Sequence, residues 1–124
     1  MRALVVDEST AIRSMLRMIL RSAGFEVLEA KDGRDALDRL NQQGTMDIAL
    51  VDWNMPEMNG LEFLRSVRAQ PLHDSMRIVM VTTESEISQV TRALSEGANE
   101  YAMKPFTRES ILEKLELLGF GRPA

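Results

Sequence analysis

Four short apolar runs, each ending abruptly on a polar residue, constrain this chain more than any other feature. Ala3-Leu4-Val5-Val6 meets Asp7, Ile48-Ala49-Leu50-Val51 meets Asp52, Ile78-Val79-Met80-Val81 meets Thr82, and Tyr101-Ala102-Met103 meets Lys104. Compact runs without polar alternation suit strands buried on both faces, as in a parallel sheet covered by helices on either side. The segments between them carry a helical period. Ile12, Met15, Leu16, Ile19 and Leu20 form an amphipathic stripe stopped by Gly24. Ala36, Leu37 and Leu40 form a second stripe ending near Gly44, and Leu61, Leu64 and Val67 a third closed by Pro71. Ile87, Val90 and Leu94 predict a helix capped by Gly97, and Ile111, Leu112, Leu115 and Leu118 a last one facing the core. Phe25 to Ala30 completes the strand set, and Asp32-Gly33 reads as a turn. Five strands alternating with five helices predict an α/β fold with right-handed crossovers.

Composition narrows the function. The 124 residues fit one domain, 1–124, large enough for a core without disulfides, and there is no cysteine for a thiol nucleophile or zinc site. Acids outnumber bases 19 to 15, for a net charge of −4, which argues against DNA binding. Arg13, Arg17 and Arg21 recur every four residues on the first helix and read as a solvated face. No apolar stretch has the length to cross a bilayer, and the first run meets an acid too early for a signal peptide, so a cytoplasmic protein is expected. No linker or short-period repeat interrupts the pattern. The methionines, Met15 and Met80 among them, read as core filling. His73 reads as an exposed loop residue, not a catalyst.

In an open parallel sheet, functional groups gather beyond the carboxyl ends of the strands. Here those ends supply Asp7-Glu8, Asp52-Trp53-Asn54, Thr82-Thr83-Glu84 and Lys104-Pro105. Singly, each has an ordinary explanation as a cap, a strand residue or a solvated charge. Together Asp7, Glu8 and Asp52 crowd three carboxylates onto one rim, where two charges about 5 Å apart repel by roughly 3 kcal/mol. A compensating cation is needed, and an oxygen-only ligand set suits Mg²⁺. Carboxylate, hydroxyl, ammonium and metal together describe phosphoryl transfer to an aspartate. A Ser-His-Asp mechanism lacks a partner for the single histidine, and no glycine-rich loop follows a strand to cradle a nucleotide.

These residues are recognisable as a set. Val5-Val6-Asp7-Glu8-Ser9, Asp52-Trp53-Asn54-Met55-Pro56-Glu57-Met58-Asn59-Gly60-Leu61, Val81-Thr82-Thr83-Glu84 and Tyr101-Ala102-Met103-Lys104-Pro105-Phe106 resemble the receiver domain of two-component response regulators, over nearly the whole chain. The separations of Asp7, Asp52, Thr82 and Lys104 are 45, 30 and 22 residues, as that family's pattern requires. The resemblance implies a doubly wound, flavodoxin-like five-stranded sheet of order 2-1-3-4-5. It implies Asp52 as phosphoacceptor, with Mg²⁺ held by the carboxylates of Glu8 and Asp52, the carbonyl of Asn54, and Asp7 through water. Lys104 would pair with Asp52 and then with a phosphoryl oxygen. Thr82 would bond another such oxygen, and Tyr101 would swing inward in the active state. Asn54 and Glu84 would flank the attacking water and tune the lifetime of the phosphate. The Lys104-Pro105 bond would be cis. Glu8 stands where many members have Asp, a change that keeps a metal-ligating oxygen.

A histidine kinase is the implied phosphodonor. The chain ends soon after its last helix, so the output is expected to be a surface around the fourth helix, fifth strand and fifth helix. A flagellar motor switch component is the expected target, with a phosphatase as a further partner. The Trp53-Asn54 pair and Tyr101 tilt the reading towards chemotaxis; another relay, or a phosphate sink, stays open. Such a chain is no enzyme beyond its own phosphorylation and dephosphorylation. Two rivals are weaker. Haloacid-dehalogenase-like phosphatases place a second Asp two residues after the nucleophile, where this chain has Asn54, and a structural pseudo-receiver usually lacks one of the site residues retained here.

Overall fold

The computed structural model describes residues 1–121. Its elements alternate as the two periods predict: β1 (Arg2–Val6), α1 (Thr10–Ser22), β2 (Glu26–Ala30), α2 (Gly33–Gln43), β3 (Ile48–Asp52), α3 (Gly60–Arg68), β4 (Arg77–Thr82), α4 (Val90–Ser95), β5 (Glu100–Met103) and α5 (Arg108–Leu117). All pairings are parallel and the strand order is β2-β1-β3-β4-β5, so the chain reverses direction across the sheet beside β1. Side chains alternate along each strand and build two cores. Leu4, Val6, Ala49, Val51, Ile78 and Met80 pack towards α2 and α3, with Phe63 and Leu64. Ala3, Val5, Ile48, Leu50, Val79 and Val81 pack towards α1 and α5, with Leu16, Leu20 and Ile111. Fully apolar strands are thus explained: both faces are covered.

Local chemistry sets the helix starts. Ser9, Asp32, Asn59 and Thr107 each accept a hydrogen bond from a first-turn backbone N–H of the helix they precede. Asp32-Gly33 is therefore a helix entry instead of a free turn. Gly24, with φ +93°, takes the left-handed conformation that ends α1.

Four expectations are corrected. The stripe Ile87-Val90-Leu94 presumes one α-helix, but Glu84–Gln89 is a 3₁₀ helix and only Val90–Ser95 is α. A 3₁₀ turn advances 120° per residue instead of 100°, so the stripe breaks. Val90 and Ala93 are buried, while Ile87 and Leu94 are exposed. Met15 is exposed too, because Leu16, Ile19 and Leu20 already fill the contact face of α1. Arg13 and Arg17 are not free solvated charges: both pair with Glu29 on β2, at 3.3 and 2.8 Å. His73 is buried, not exposed. It lies in a 3₁₀ turn, Pro71–His73, whose backbone is held by Arg68. That guanidinium donates to the carbonyls of His73, Met76 and Gly97 and to the Asn99 side chain, at 2.7–3.0 Å. It thereby ties the end of α3 to β4 and to the α4–β5 turn.

Candidate functional site

Strand ends deliver the polar residues to one rim. Asp7, one residue past β1, is buried; one carboxylate oxygen accepts from the Ser9 backbone N–H at 2.8 Å. Asp52, the last residue of β3, is buried as well. Lys104, following β5, reaches across the sheet end. Its Nζ donates to Asp7 Oδ2 at 2.9 Å and to Asp52 Oδ1 at 3.1 Å. The Lys104 N–H donates to the Thr82 carbonyl at 2.7 Å, which fixes the root of the lysine beside β4. The Lys104-Pro105 peptide is cis, as the resemblance implies.

The electrostatics follow from burial. Desolvation, reinforced by the Asp7 charge, raises the pKa of Asp52 against the opposing pull of Lys104 and a backbone hydrogen bond from Asn54. Burial by itself would lower the Lys104 pKa, but the Asp7 hydrogen bond and the two carboxylate charges prevail and raise it. Lys104 therefore stays charged, and Asp52 is the strained member of the cluster. Two buried carboxylates share one ammonium, which leaves a negative charge uncompensated.

The other predicted residues divide. Thr82 is fully buried at the end of β4. Its hydroxyl donates within its own turn, towards the Thr83 carbonyl at 3.2 Å and Glu86 Oε1 at 3.4 Å, not towards Asp52. Glu8, Asn54 and Glu84 are exposed at the rim. Tyr101 is half-buried on the edge strand β5, with Lys114 Nζ 4.6 Å from its ring centre. Among the described residues, no three His, Cys, Asp or Glu side chains form a ready-made metal cage. The donor set nevertheless fits a hard cation. It offers carboxylate and carbonyl oxygens, carries excess negative charge, and opens onto solvent on the side of Glu8 and Asn54. Mg²⁺ is held in this way, by a few protein oxygens and retained waters.

Two contributors escape a reading based on strand ends. Arg13 donates to the Asp7 carbonyl at 2.6 Å, bracing the acid from α1. Glu86 forms a capping box with Thr83 and also meets the Thr82 hydroxyl. The spacing Thr83-x-x-Glu86 carries that signal in the sequence.

Comparison with known proteins agrees with this geometry. The family model for the response regulator receiver domain matches residues 3–116, and the chain belongs to that family. More particularly, it is 45% identical to the chemotaxis protein CheY homolog of Campylobacter jejuni, over 98% of this chain and 95% of that protein. It is 41% identical to chemotaxis protein CheY1 of Helicobacter pylori, over 95% and 96% of the two chains. Among solved structures, chemotaxis response regulator CheY4 of Vibrio cholerae superposes with a TM-score of 0.86 at 38% identity, covering 94% of this chain and 97% of that one. Among the described residues, no helix is long and apolar enough to cross a membrane.

Proposed function

We propose that this receiver acts in chemotaxis, taking a phosphoryl group from a histidine kinase onto Asp52. The observation that carries the reading is the single Lys104 ammonium shared by two buried carboxylates, Asp7 and Asp52. An Asp52 oxygen attacks phosphorus as the bond to the donor's histidine nitrogen breaks, and burial keeps the attacking carboxylate poorly solvated. Lys104 then follows the negative charge from the carboxylate to a phosphoryl oxygen, and the Thr82 hydroxyl bonds another. Asp7, Glu8, Asp52 and the Asn54 carbonyl would hold Mg²⁺, which when bound supplies positive charge to the phosphoryl oxygens. Asn54 and Glu84, both exposed, would meet water approaching the acyl phosphate and so set its lifetime.

The chain catalyses only its own phosphorylation and dephosphorylation. Its output is a surface around Tyr101, where β5 and α5 leave a 230 Å³ hollow lined by Tyr101, Met103 and Lys114. In the cytoplasm its target would be a flagellar motor switch component, as the chemotaxis relatives suggest, with a phosphatase resetting the signal. The dehalogenase-like reading lacks its general acid, since Asn54 offers an amide where a second carboxyl is needed.

Incubation with acetyl phosphate and Mg²⁺, followed by intact mass, tests the reading. The expected product carries one added phosphoryl group, absent in Asp52→Asn and when EDTA replaces the metal. Phosphorylation of Asp52→Asn to the same extent would sink it.

A further inference from the structure

Thr82 has one hydroxyl proton to donate. Both acceptors within reach, the Thr83 carbonyl and Glu86 Oε1, belong to the turn that leaves β4. Glu86 Oε1 is also the acceptor for the Thr83 N–H and the Thr83 hydroxyl, both at 3.0 Å. The Glu86 N–H in turn donates to the Thr83 carbonyl at 3.0 Å. One carboxylate oxygen thus gathers three donors and holds the first turn of the 3₁₀ helix against the end of β4.

We infer that Glu86 is a positioning residue that holds the Thr82 hydroxyl away from Asp52 and competes with the phosphoryl group for it. This rests on the reading of Asp52 as acceptor. The competition is exclusive because a single proton cannot serve a phosphoryl oxygen and the Glu86 carboxylate together. It also favours the phosphoryl group. At 3.2 and 3.4 Å, the present contacts are longer than a good O–H···O bond, so the hydroxyl is restrained but cheaply released. A doubly charged phosphoryl group offers a stronger, shorter bond.

The release has a defined boundary. The far end of α4 is pinned to α3: Arg65 donates to both Glu96 oxygens at 2.6 and 3.1 Å, and Arg68 to the Gly97 carbonyl at 2.9 Å. Loss of the Thr82–Glu86 contact therefore removes one tie between the end of β4 and the 3₁₀ turn, whose Thr83–Glu86 cap persists, while the α4–β5 turn stays in place. Glu86, through Thr82, sets how much of the binding energy of the phosphoryl group is spent on switching.

Calorimetric titration with beryllofluoride, a phosphoryl mimic, in saturating Mg²⁺ tests the inference. Glu86→Gln keeps an oxygen for the Thr83 N–H but removes the charge. It is expected to bind the mimic about threefold to fivefold more tightly than the parent, the order by which a charged acceptor outweighs a neutral one. In a Thr82→Val background, which has no hydroxyl to hold, the same substitution should leave the affinity unchanged. A cap that acted only on helix stability would shift the affinity equally in both backgrounds, and that result overturns the inference while leaving Asp52 as acceptor. Unchanged affinity in the Thr82 background likewise overturns it. Failure of the parent to bind the mimic would overturn the inference together with the acceptor reading.

Discussion

A Cβ placed on Gly60 would stand 2.5 Å from the backbone carbonyl oxygen of Asp52. The first residue of α3 is thus pressed against the end of the acceptor strand, and its N–H donates to the Trp53 carbonyl at 2.9 Å. The same Cβ would lie 3.0 Å from Trp53 Cα, so the nearest obstacles include backbone that cannot rotate away. Gly60→Ala should lose about 1–3 kcal/mol of stability by overpacking, despite the better helix propensity of alanine. Urea unfolding checks the loss, and slower phosphorylation by acetyl phosphate should accompany it.

Asp52 gives a pH signature. Burial and Asp7 hold its folded pKa above the ordinary 3.8, so the folded chain binds this proton more tightly than the unfolded one. The ionised group consequently costs stability at neutral pH. That cost shrinks as pH falls through the raised folded value and is gone below 3.8. In EDTA, Asp52→Asn should melt above the parent at pH 7, and the two curves should converge towards pH 4. Parallel curves across that range would contradict this account of the strain.

Lys104→Ala removes the one cation that, among the described residues, pairs with the carboxylates of Asp7 and Asp52. Two buried carboxylates are then left facing each other, a loss of about 1–3 kcal/mol once the partial exposure of the lysine is allowed for. Adding Asp52→Asn should recover most of that loss, because one of the two charges disappears. Thermal melts of the single and double variants in EDTA decide it. Additive losses would mean that the ammonium does not serve the pair.

Glu57 carries the only positive φ, +67°, among the described non-glycine residues. It is exposed in the loop between β3 and α3, so nothing in the packing requires its side chain. Glu57→Gly should stabilise the fold by about 0.5–1 kcal/mol, since relief of left-handed strain outweighs the extra chain entropy of glycine. A higher urea midpoint with unchanged phosphorylation is the expected result, and a lower midpoint would count against it.

Trp53 supplies a built-in reporter. It follows Asp52 directly and is buried in the core on the α2 and α3 side of the sheet. Its emission should change once on titrating Mg²⁺ and again on adding acetyl phosphate, then return as the acyl phosphate hydrolyses. Asp52→Ala should lose the second change. Retention of the full donor response in that variant would remove Asp52 as the acceptor.

Much of the site was legible along the chain because strand ends are read locally. An apolar run that stops at Asp7, Asp52, Thr82 or Lys104 places each residue at the same edge of any parallel sheet, whatever the details of packing. The errors share a different cause. An ideal helical period puts Ile87 and Leu94 inside, but the segment begins as 3₁₀ and turns them out. Polar neighbours put His73 outside, yet its turn is held by Arg68, five residues earlier, which also ties it to the start of β4. Glu86 lies beyond the strand end, and only the Thr83-x-x-Glu86 capping-box spacing signals it along the chain.

The sequence by itself determined the alternation of elements, the two-sided burial of the sheet and the membership of the rim, since each follows from periodicity and helix-end chemistry within a few residues. Only the tertiary structure decided which acid shares the ammonium. Asp7, Asp52 and Lys104 come from three strands, and the Lys104 contacts span 97 and 52 residues of chain. It likewise decided that the Thr82 hydroxyl is turned towards Glu86. The physical reason is that a hydrogen bond or ion pair depends on distances of a few tenths of an ångström and on desolvation by every neighbouring element. Those quantities exist only after the helices have packed and the sheet has brought its strand ends together.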